Sequence, residues 1–332
     1  MVLLSAAIGL IALYLILKGS EWITDSSVHM AQKLSTSNIA VGLILVSTLL
    51  SLPELFVAVS SVLNGHAAIG IGVILGSVIV NLGLIVGVSA LIRPLHVPRV
   101  MVTRDAVFMV VITIVVAAVA LEDFALTRTD GFVFLLLFVP YFVNVYEQER
   151  ALTAKQKIVE TQKITKSLQL FGKIGFGELV VSDGLKVFLL GVVLLLAGAE
   201  LFTRAMVGVG GFFKLSDIVV GLTLGALGTS LPNLASAIQA AKRGYEELAV
   251  SETIGSNIFT LLITLGVIAL ATPQSIDVVT AVVTTPSILI LSFLLLFFMT
   301  KGRIGRTAGV VFLAVYAAAT IIQLALAGAQ AF

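Results

Sequence analysis

The sequence predicts an all-α integral membrane protein of ten transmembrane helices, arranged as two inverted five-helix repeats. Three observations carry that expectation. The 332 residues are 59% hydrophobic and 11% charged, with a mean hydropathy of +1.14, whereas a soluble domain carries about 25% charge. Ten continuous apolar stretches are long enough to cross, as helices, a bilayer core of about 30 Å. The second half of the chain also repeats the first at an offset of 179 residues. This composition excludes soluble enzymes and nucleic-acid binders. Continuous runs also argue against a transmembrane barrel, whose strands read as alternating segments of about ten residues. With no cysteine and only His29, His66 and His96, there is no disulfide, thiolate site or histidine metal cluster.

The elements follow in chain order. The first stretch, 2–18, has no basic residue before Lys18, so it reads as a retained helix and not a secretory signal. A weakly apolar extension, 19–35, predicts that this helix is long and tilted. Stretches 39–63, 67–92, 100–121 and 130–146 complete the first half, 1–146. Residues 147–183 are rich in Lys, Gln and Thr and read as a cytoplasmic linker, too short to hold a regulatory domain. The second half, 184–332, opens with 184–203 and a similar extension to 213, followed by 218–241, 247–270, 277–300 and 307–327. Lysine and arginine favour cytoplasmic loops. With the N-terminus outside, sixteen of the twenty basic residues fall on inside connections, and only Arg128, Arg204 and Lys214 fall outside. That asymmetry predicts a multi-pass cell-membrane protein with both termini extracellular.

The repeat aligns 42–91 with 221–270 without a gap. Its identities include Gly42/Gly221, Ser51/Ser230, Pro53/Pro232, Gly65/Gly244, Gly76/Gly255 and Ser77/Ser256. A unit of five helices is odd, so the second copy enters the membrane from the opposite side, as in many secondary transporters.

The repeat also locates a candidate site. Ser51-Leu52-Pro53 and Ser230-Leu231-Pro232 each interrupt an apolar helix. Proline lacks an amide proton, which frees the carbonyls of Leu49 and Gly228. Free carbonyls at membrane depth are tolerated where they line a polar cavity. The following helix carries Gly76-Ser77 or Gly255-Ser256, so oxygen ligands for hard cations such as sodium and calcium would gather near the midplane. Glu54 directly follows Pro53, and an intramembrane acid defaults to a functional role. Its repeat partner is the neutral Asn233, and Asn81 pairs with Thr260. Glu252 lies one turn before Ser256 on the same face, where it either extends the polar lining or marks a mouth. Glu21 and Glu200 recur in both halves, which favours a structural role.

Residues 225–234, Gly-Ala-Leu-Gly-Thr-Ser-Leu-Pro-Asn-Leu, followed by Gly255-Ser256-Asn257-Ile258-Phe259, resemble the second alpha-repeat of the sodium/calcium exchangers in the cation/calcium antiporter superfamily. Ser51-Leu52-Pro53-Glu54-Leu55-Phe56 with Gly76-Ser77 and Asn81 resembles the first. The resemblance implies an inverted five-plus-five fold and alternating access, with calcium exchanged for sodium, protons or potassium-assisted sodium. It further implies ligands at Glu54, Ser51, Ser77 and Asn81 from the first half and at Thr229, Ser230 and Ser256 from the second, with the carbonyls of Ser47 and Ala226 as backbone oxygens. The chain departs from the family pattern at Leu49-Leu50, Asn233, Thr260, Val73 and Val78. One carboxylate in place of two implies weak calcium binding unless Glu252 reaches in.

The expected function is a secondary cation antiporter, with sodium/calcium exchange as the main reading. Proton-coupled exchange through Glu54 and a non-transporting scaffold are the alternatives. Metalloprotease and serine-hydrolase motifs are absent from the sequence, so no enzymatic activity, cofactor, nucleic acid or obligate protein partner is expected. The expected partners are the lipid bilayer and inorganic cations.

Overall fold

The computed structural model describes residues 2–33, 48–150 and 184–330. These segments are almost wholly helical: α1 (Val2–Lys33), α2 (Leu52–Leu63), α3 (Ala67–Ile92), α4 (Arg99–Glu122), α5 (Arg128–Arg150), α6 (Gly184–Phe213), α7 (Asp217–Thr229), α8 (Leu231–Arg243), α9 (Glu246–Ala271), α10 (Thr280–Thr300) and α11 (Arg306–Gln330). Among the described residues, eight helices are long and apolar enough to cross a membrane, and α7 with α8, bent by 45° at the break between them, makes a ninth if the pair is one span. The expected span 39–63 is described only from residue 48, and the expected linker lies outside the described residues except for its first four positions, which extend α5. Both expected long helices are present: α1 has 32 residues and α6 has 30.

Proline sets the breaks. It is tolerated in a first helical turn, where its missing amide proton has no partner to lose. Pro53 and Pro232 occupy that place in α2 and α8. Ser51 and Ser230, just before these helices, adopt nearly the same backbone angles (φ −92° and ψ 1°, φ −84° and ψ 0°). The connections after α2 and α8 also match. Gly65 and Gly244 both stand at φ +81°, and His66 N–H donates to the Ser61 carbonyl as Tyr245 N–H does to that of Ala240. Glycine takes that left-handed backbone without the penalty a side chain brings.

Burial sorts the helices into layers. In their most apolar windows α3 is 94% buried and α9 is 72% buried, while α1, α5, α6 and α11 lie between 17% and 28%. The first two therefore form the centre, and the leucine- and phenylalanine-rich outer faces of the others suit lipid. α1 packs along α6, α3 along α7, α11 along α3, and α5 along the end of α9. The α3–α7 contact is nearly backbone to backbone. A Cβ on Gly72 would overlap the Ile218 carbonyl, and one on Gly221 would overlap the Ile69 carbonyl.

Two short antiparallel strand pairs link the connections. Leu95–His96 (β1) pairs with Arg303–Ile304 (β4), and Ala125–Leu126 (β2) pairs with Gln274–Ser275 (β3). Each pair joins the first half of the chain to the second. Wider π-helical turns interrupt α3, α4, α7 and α9 at Val80–Ile85, Val102–Ala106, Gly221–Gly225 and Thr260–Thr264, and another, Thr280–Thr284, opens α10. Such turns recur at functional sites. Two of them begin at or next to Asn81 and Thr260.

Candidate cation site

Close packing of α3 on α7, together with the breaks before α2 and α8, brings most of the sequence-predicted polar residues into one buried cluster. Ser51, Glu54, Ser77, Asn81, Thr229, Ser230, Asn233, Ser256 and Thr260 are all buried. Spacings of three or four residues put Ser51 with Glu54, Ser77 with Asn81, Ser230 with Asn233, and Ser256 with Thr260 on shared helix faces.

Ser256 is the hub. Its hydroxyl lies 2.7 Å from Ser51 Oγ, and it accepts from Asn233 Nδ2 at 3.1 Å and from Asn81 Nδ2 at 3.5 Å. A hydroxyl has one proton and two acceptor lone pairs. With both lone pairs taken by amides, Ser256 donates to Ser51. Asn81 makes its shorter bond to Asn257 Oδ1, at 3.0 Å. Thr229 gives its proton to the Gly225 carbonyl at 3.0 Å, so Ser77, 3.3 Å away, is the donor to Thr229. The Ser230 hydroxyl donates to Glu54 Oε1 across 3.4 Å.

Several oxygens are left over. Among the described residues, the acceptors Glu54 Oε2, Asn81 Oδ1 and Asn233 Oδ1 and the Thr260 hydroxyl are buried with no hydrogen-bond partner. No ion pair engages Glu54 among the described residues. A buried carboxylate with one oxygen unpartnered and no cationic side chain beside it among the described residues lacks what normally makes burial tolerable. The cluster therefore offers negative charge and carbonyl-type oxygen to a hard cation. No group of three or more His, Cys, Asp or Glu residues is placed to hold a metal ion among the described residues, so any cation here would be held mainly by neutral oxygens.

Other predicted residues take different positions. The Ala226 carbonyl accepts Ser230 N–H at 3.0 Å and the Thr229 hydroxyl at 3.4 Å, so in this arrangement it serves the helix. Ser47 lies outside the described residues. Glu252 is buried and accepts from Ser236 at 2.7 Å, one turn from Ser256. Glu21 pairs with Lys18 at 2.8 Å. Glu200 accepts from Ser60 at 2.8 Å, Asn64 at 2.7 Å and Arg204 at 2.8 Å, which ties α6 to the end of α2. Two members of the polar network were not singled out from the sequence, Asn257 and Ser236. Asn257 stood beside Ser256 within the quoted motif. Ser236 falls one turn beyond Asn233, a spacing that would have flagged it.

A family model described as "Sodium/calcium exchanger protein" matches residues 4–146 and 184–325, one segment on each side of the expected linker. The chain is 32% identical over 279 residues to the inner membrane protein YrbG of Escherichia coli (strain K12), covering 83% of this chain and 82% of that one. It is 29% identical to the sodium/calcium exchanger MaX1 of Methanosarcina acetivorans, covering 97% of this chain and 99% of its relative. Its fold resembles that of the sodium-calcium exchanger NCX_Mj, with a TM-score of 0.65 at 30% identity over 98% of this chain and 99% of that one. These matches extend over both halves and include the clustered motifs. This helical integral membrane protein belongs to the sodium/calcium exchanger family, a family of cation antiporters.

Proposed function

We propose that the chain is a secondary active antiporter that exchanges calcium for sodium by alternating access. Cations bind among Glu54, Ser51, Ser77, Asn81, Thr229, Ser230, Asn233, Ser256 and Thr260. The observation that carries this reading is the set of bare buried oxygens around one carboxylate, Glu54 Oε2 with Asn81 Oδ1, Asn233 Oδ1 and Thr260 Oγ1. A cation supplies the positive charge that these oxygens lack. Sodium coupling is favoured over proton coupling because a proton needs only the carboxylate, whereas the cluster gathers many neutral oxygens besides. The transporter takes no cofactor, and its partners are the bilayer and the ions.

The same proposal includes ten spans in two inverted halves, 1–146 and 184–332, joined by a cytoplasmic linker, with both termini extracellular. Three features support it. Strands β1 and β3 sit at repeat-related places, as do β2 and β4, and each pairs with the other half. The π-helical turns at Val80–Ile85 and Thr260–Thr264 recur at the repeat offset. The turns at Gly65 and Gly244 have the same φ of +81°. Because the chain has no cysteine, single cysteines placed at the termini and loops would report sidedness directly by labelling.

Transport is tested with purified protein in vesicles. An outward sodium gradient, with pH equal on both sides, is expected to drive calcium inward, and a pH gradient without sodium is expected to drive little. Uptake driven by the pH gradient alone, with nothing added by sodium, would overturn sodium coupling and make Glu54 a proton carrier.

A further inference from the structure

The Asn81 side chain has two chemically different ends. Its amide presents an acceptor oxygen on one side and a donor amino group on the other. Only the oxygen end suits a cation, and half a turn about the last side-chain bond exchanges the two. Ser256 does not fix the sense of this amide, because a hydroxyl accepts from an amino group or donates to an oxygen equally well. Asn257 does. It stands on α9, fully buried, and its Oδ1 accepts from Asn81 Nδ2 at 3.0 Å. Asn257 is itself an amide, so its own sense must be set in turn. Its Nδ2 donates to Met109 Sδ on α4, 4.0 Å away. A thioether sulfur accepts weakly and has no proton to give, so it takes the amino end and rejects the oxygen end. Met109, Asn257 and Asn81 thus form a chain with one favourable direction. That direction leaves Asn81 Oδ1 buried without a partner among the described residues.

The repeat supplies an independent observation. At the offset of 179 residues, Asn81, Asn257 and Met109 correspond to Thr260, Val78 and Ile288. Val78 and Ile288 are buried as well. A threonine hydroxyl rotates to suit its partner and has no wrong end to present, and there the two supporting positions are apolar. Polar support stands behind the amide, whose sense matters, and apolar packing stands behind the hydroxyl, whose sense does not. Burying an amide is costly unless it is hydrogen-bonded, so packing alone is a weak reason for asparagine at 257 when valine serves at 78.

We propose that Asn257 is a positioning residue for cation binding: held by the Met109 thioether, it keeps the Asn81 amide oxygen turned toward the ion. The proposal rests on the reading of the Glu54 cluster as a cation site. Asn257 acts through Asn81, with its oxygen on the Asn81 amino group and its own amino group on sulfur. In the reversed chain the Asn257 oxygen would face sulfur lone pairs. Its amino group would draw the Asn81 oxygen out of the cluster and leave an amino group facing the cation. Replacing residues that orient a metal ligand in this way typically costs about 10- to 100-fold in affinity.

The test titrates calcium into the purified full chain by calorimetry, in two backgrounds. Asn257→Leu, similar in size and apolar, is expected to weaken calcium binding by on the order of tenfold. In Asn81→Asp both ends of residue 81 are oxygen, so no sense needs fixing, and adding Asn257→Leu there should cost little. A merely structural role for Asn257 would cost the same in both backgrounds. Met109→Leu nearly preserves volume and removes the sulfur; it should give a smaller loss than Asn257→Leu, again confined to the parent background. It also decides the matter should Asn257→Leu fail to fold. Unchanged calcium affinity in these variants, or equal losses in both backgrounds, would overturn the positioning role. Glu54→Gln separates this role from the reading beneath it. If Glu54→Gln abolishes calcium binding while Asn257→Leu is silent, only the positioning role falls; if it leaves binding intact, the central cation site falls.

Discussion

Replacing Asn233 with glutamate should tighten calcium binding. Asn233 Nδ2 lies 3.1 Å from Ser256 Oγ, inside the cluster that contains Glu54. A carboxylate in its place would draw the Ser256 proton away from Ser51, accept it as a hydrogen bond, and add a second negative charge. At an effective dielectric near 20, a unit charge about 4 Å from the ion contributes about 4 kcal/mol per unit of ion charge, or about 8 kcal/mol for calcium. Desolvating the added carboxylate costs several kcal/mol, and repulsion from Glu54 removes more. A net gain of about 1.4 kcal/mol is already tenfold in affinity, so a tightening of at least about tenfold is expected. Sodium should gain less, since its charge is half. Calorimetric titration of both ions into purified parent and Asn233→Glu protein is the assay. Calcium affinity that is unchanged or weaker in a variant with normal thermal stability would refute the reasoning, because it would mean that position 233 does not face the ion.

Glu54→Gln keeps the shape and removes the central charge; it should abolish sodium-driven calcium uptake while membrane insertion and melting temperature stay near the parent, as vesicle flux and a thermal melt would read. Gly72→Val would force a side chain into the Ile218 backbone; overpacking of this kind costs about 1–3 kcal/mol, and the melt should fall together with exchange as the 3.3 Å Ser77–Thr229 contact opens. Gly244→Ala places a Cβ at φ +81° and should destabilise by about 1–2 kcal/mol, read from the melt, with sodium half-saturation unchanged.

Much of the architecture was legible because membranes impose strict rules. Apolar run length located most of the spans, and Ser-Leu-Pro located the break that the structure shows as a 45° bend. The repeat led to the polar cluster, since paired motifs pick out facing positions that a single motif would not. What stayed hidden was pairing. That Ser256 would be the shared partner of Ser51, Asn81 and Asn233 depends on the closeness of helices distant in sequence, and no periodicity encodes it. The Ala226 carbonyl illustrates the same limit. The resemblance implied a backbone oxygen ligand there, but that the Ser230 N–H and the Thr229 hydroxyl also use this carbonyl depends on backbone geometry. Glu252 was ambiguous for a related reason, because one turn of helix separates a mouth from a cavity and spacing alone does not say where the cavity ends.

The bare carboxylate also bears on why such a site would exchange ions and not leak. To pass between outward- and inward-facing forms, the cavity must close on both sides for a time. With a monovalent cation bound, Glu54 is neutralised and closure buries no net charge from that pair; with calcium bound, one positive charge is left to the neutral oxygens of the cluster. Without a cation, closure buries a carboxylate whose Oε2 has no partner among the described residues and whose Oε1 takes a 3.4 Å contact from Ser230, a penalty of several kcal/mol. Each 1.4 kcal/mol slows the empty transition about tenfold. In the proposed antiport cycle, the unpartnered Glu54 Oε2 would then act as a coupling device. A better-satisfied acid would bind ions less tightly, and it would also let the empty carrier return. Adding a donor near Oε2, for example by Leu50→Thr if that hydroxyl reaches the carboxylate, should raise the rate of ion-independent return more than it changes exchange. Calcium efflux into sodium- and calcium-free medium, where only empty carriers can return, measures that rate. Efflux no faster than in the parent, with exchange intact, would show that the unsatisfied oxygen does not control the empty step.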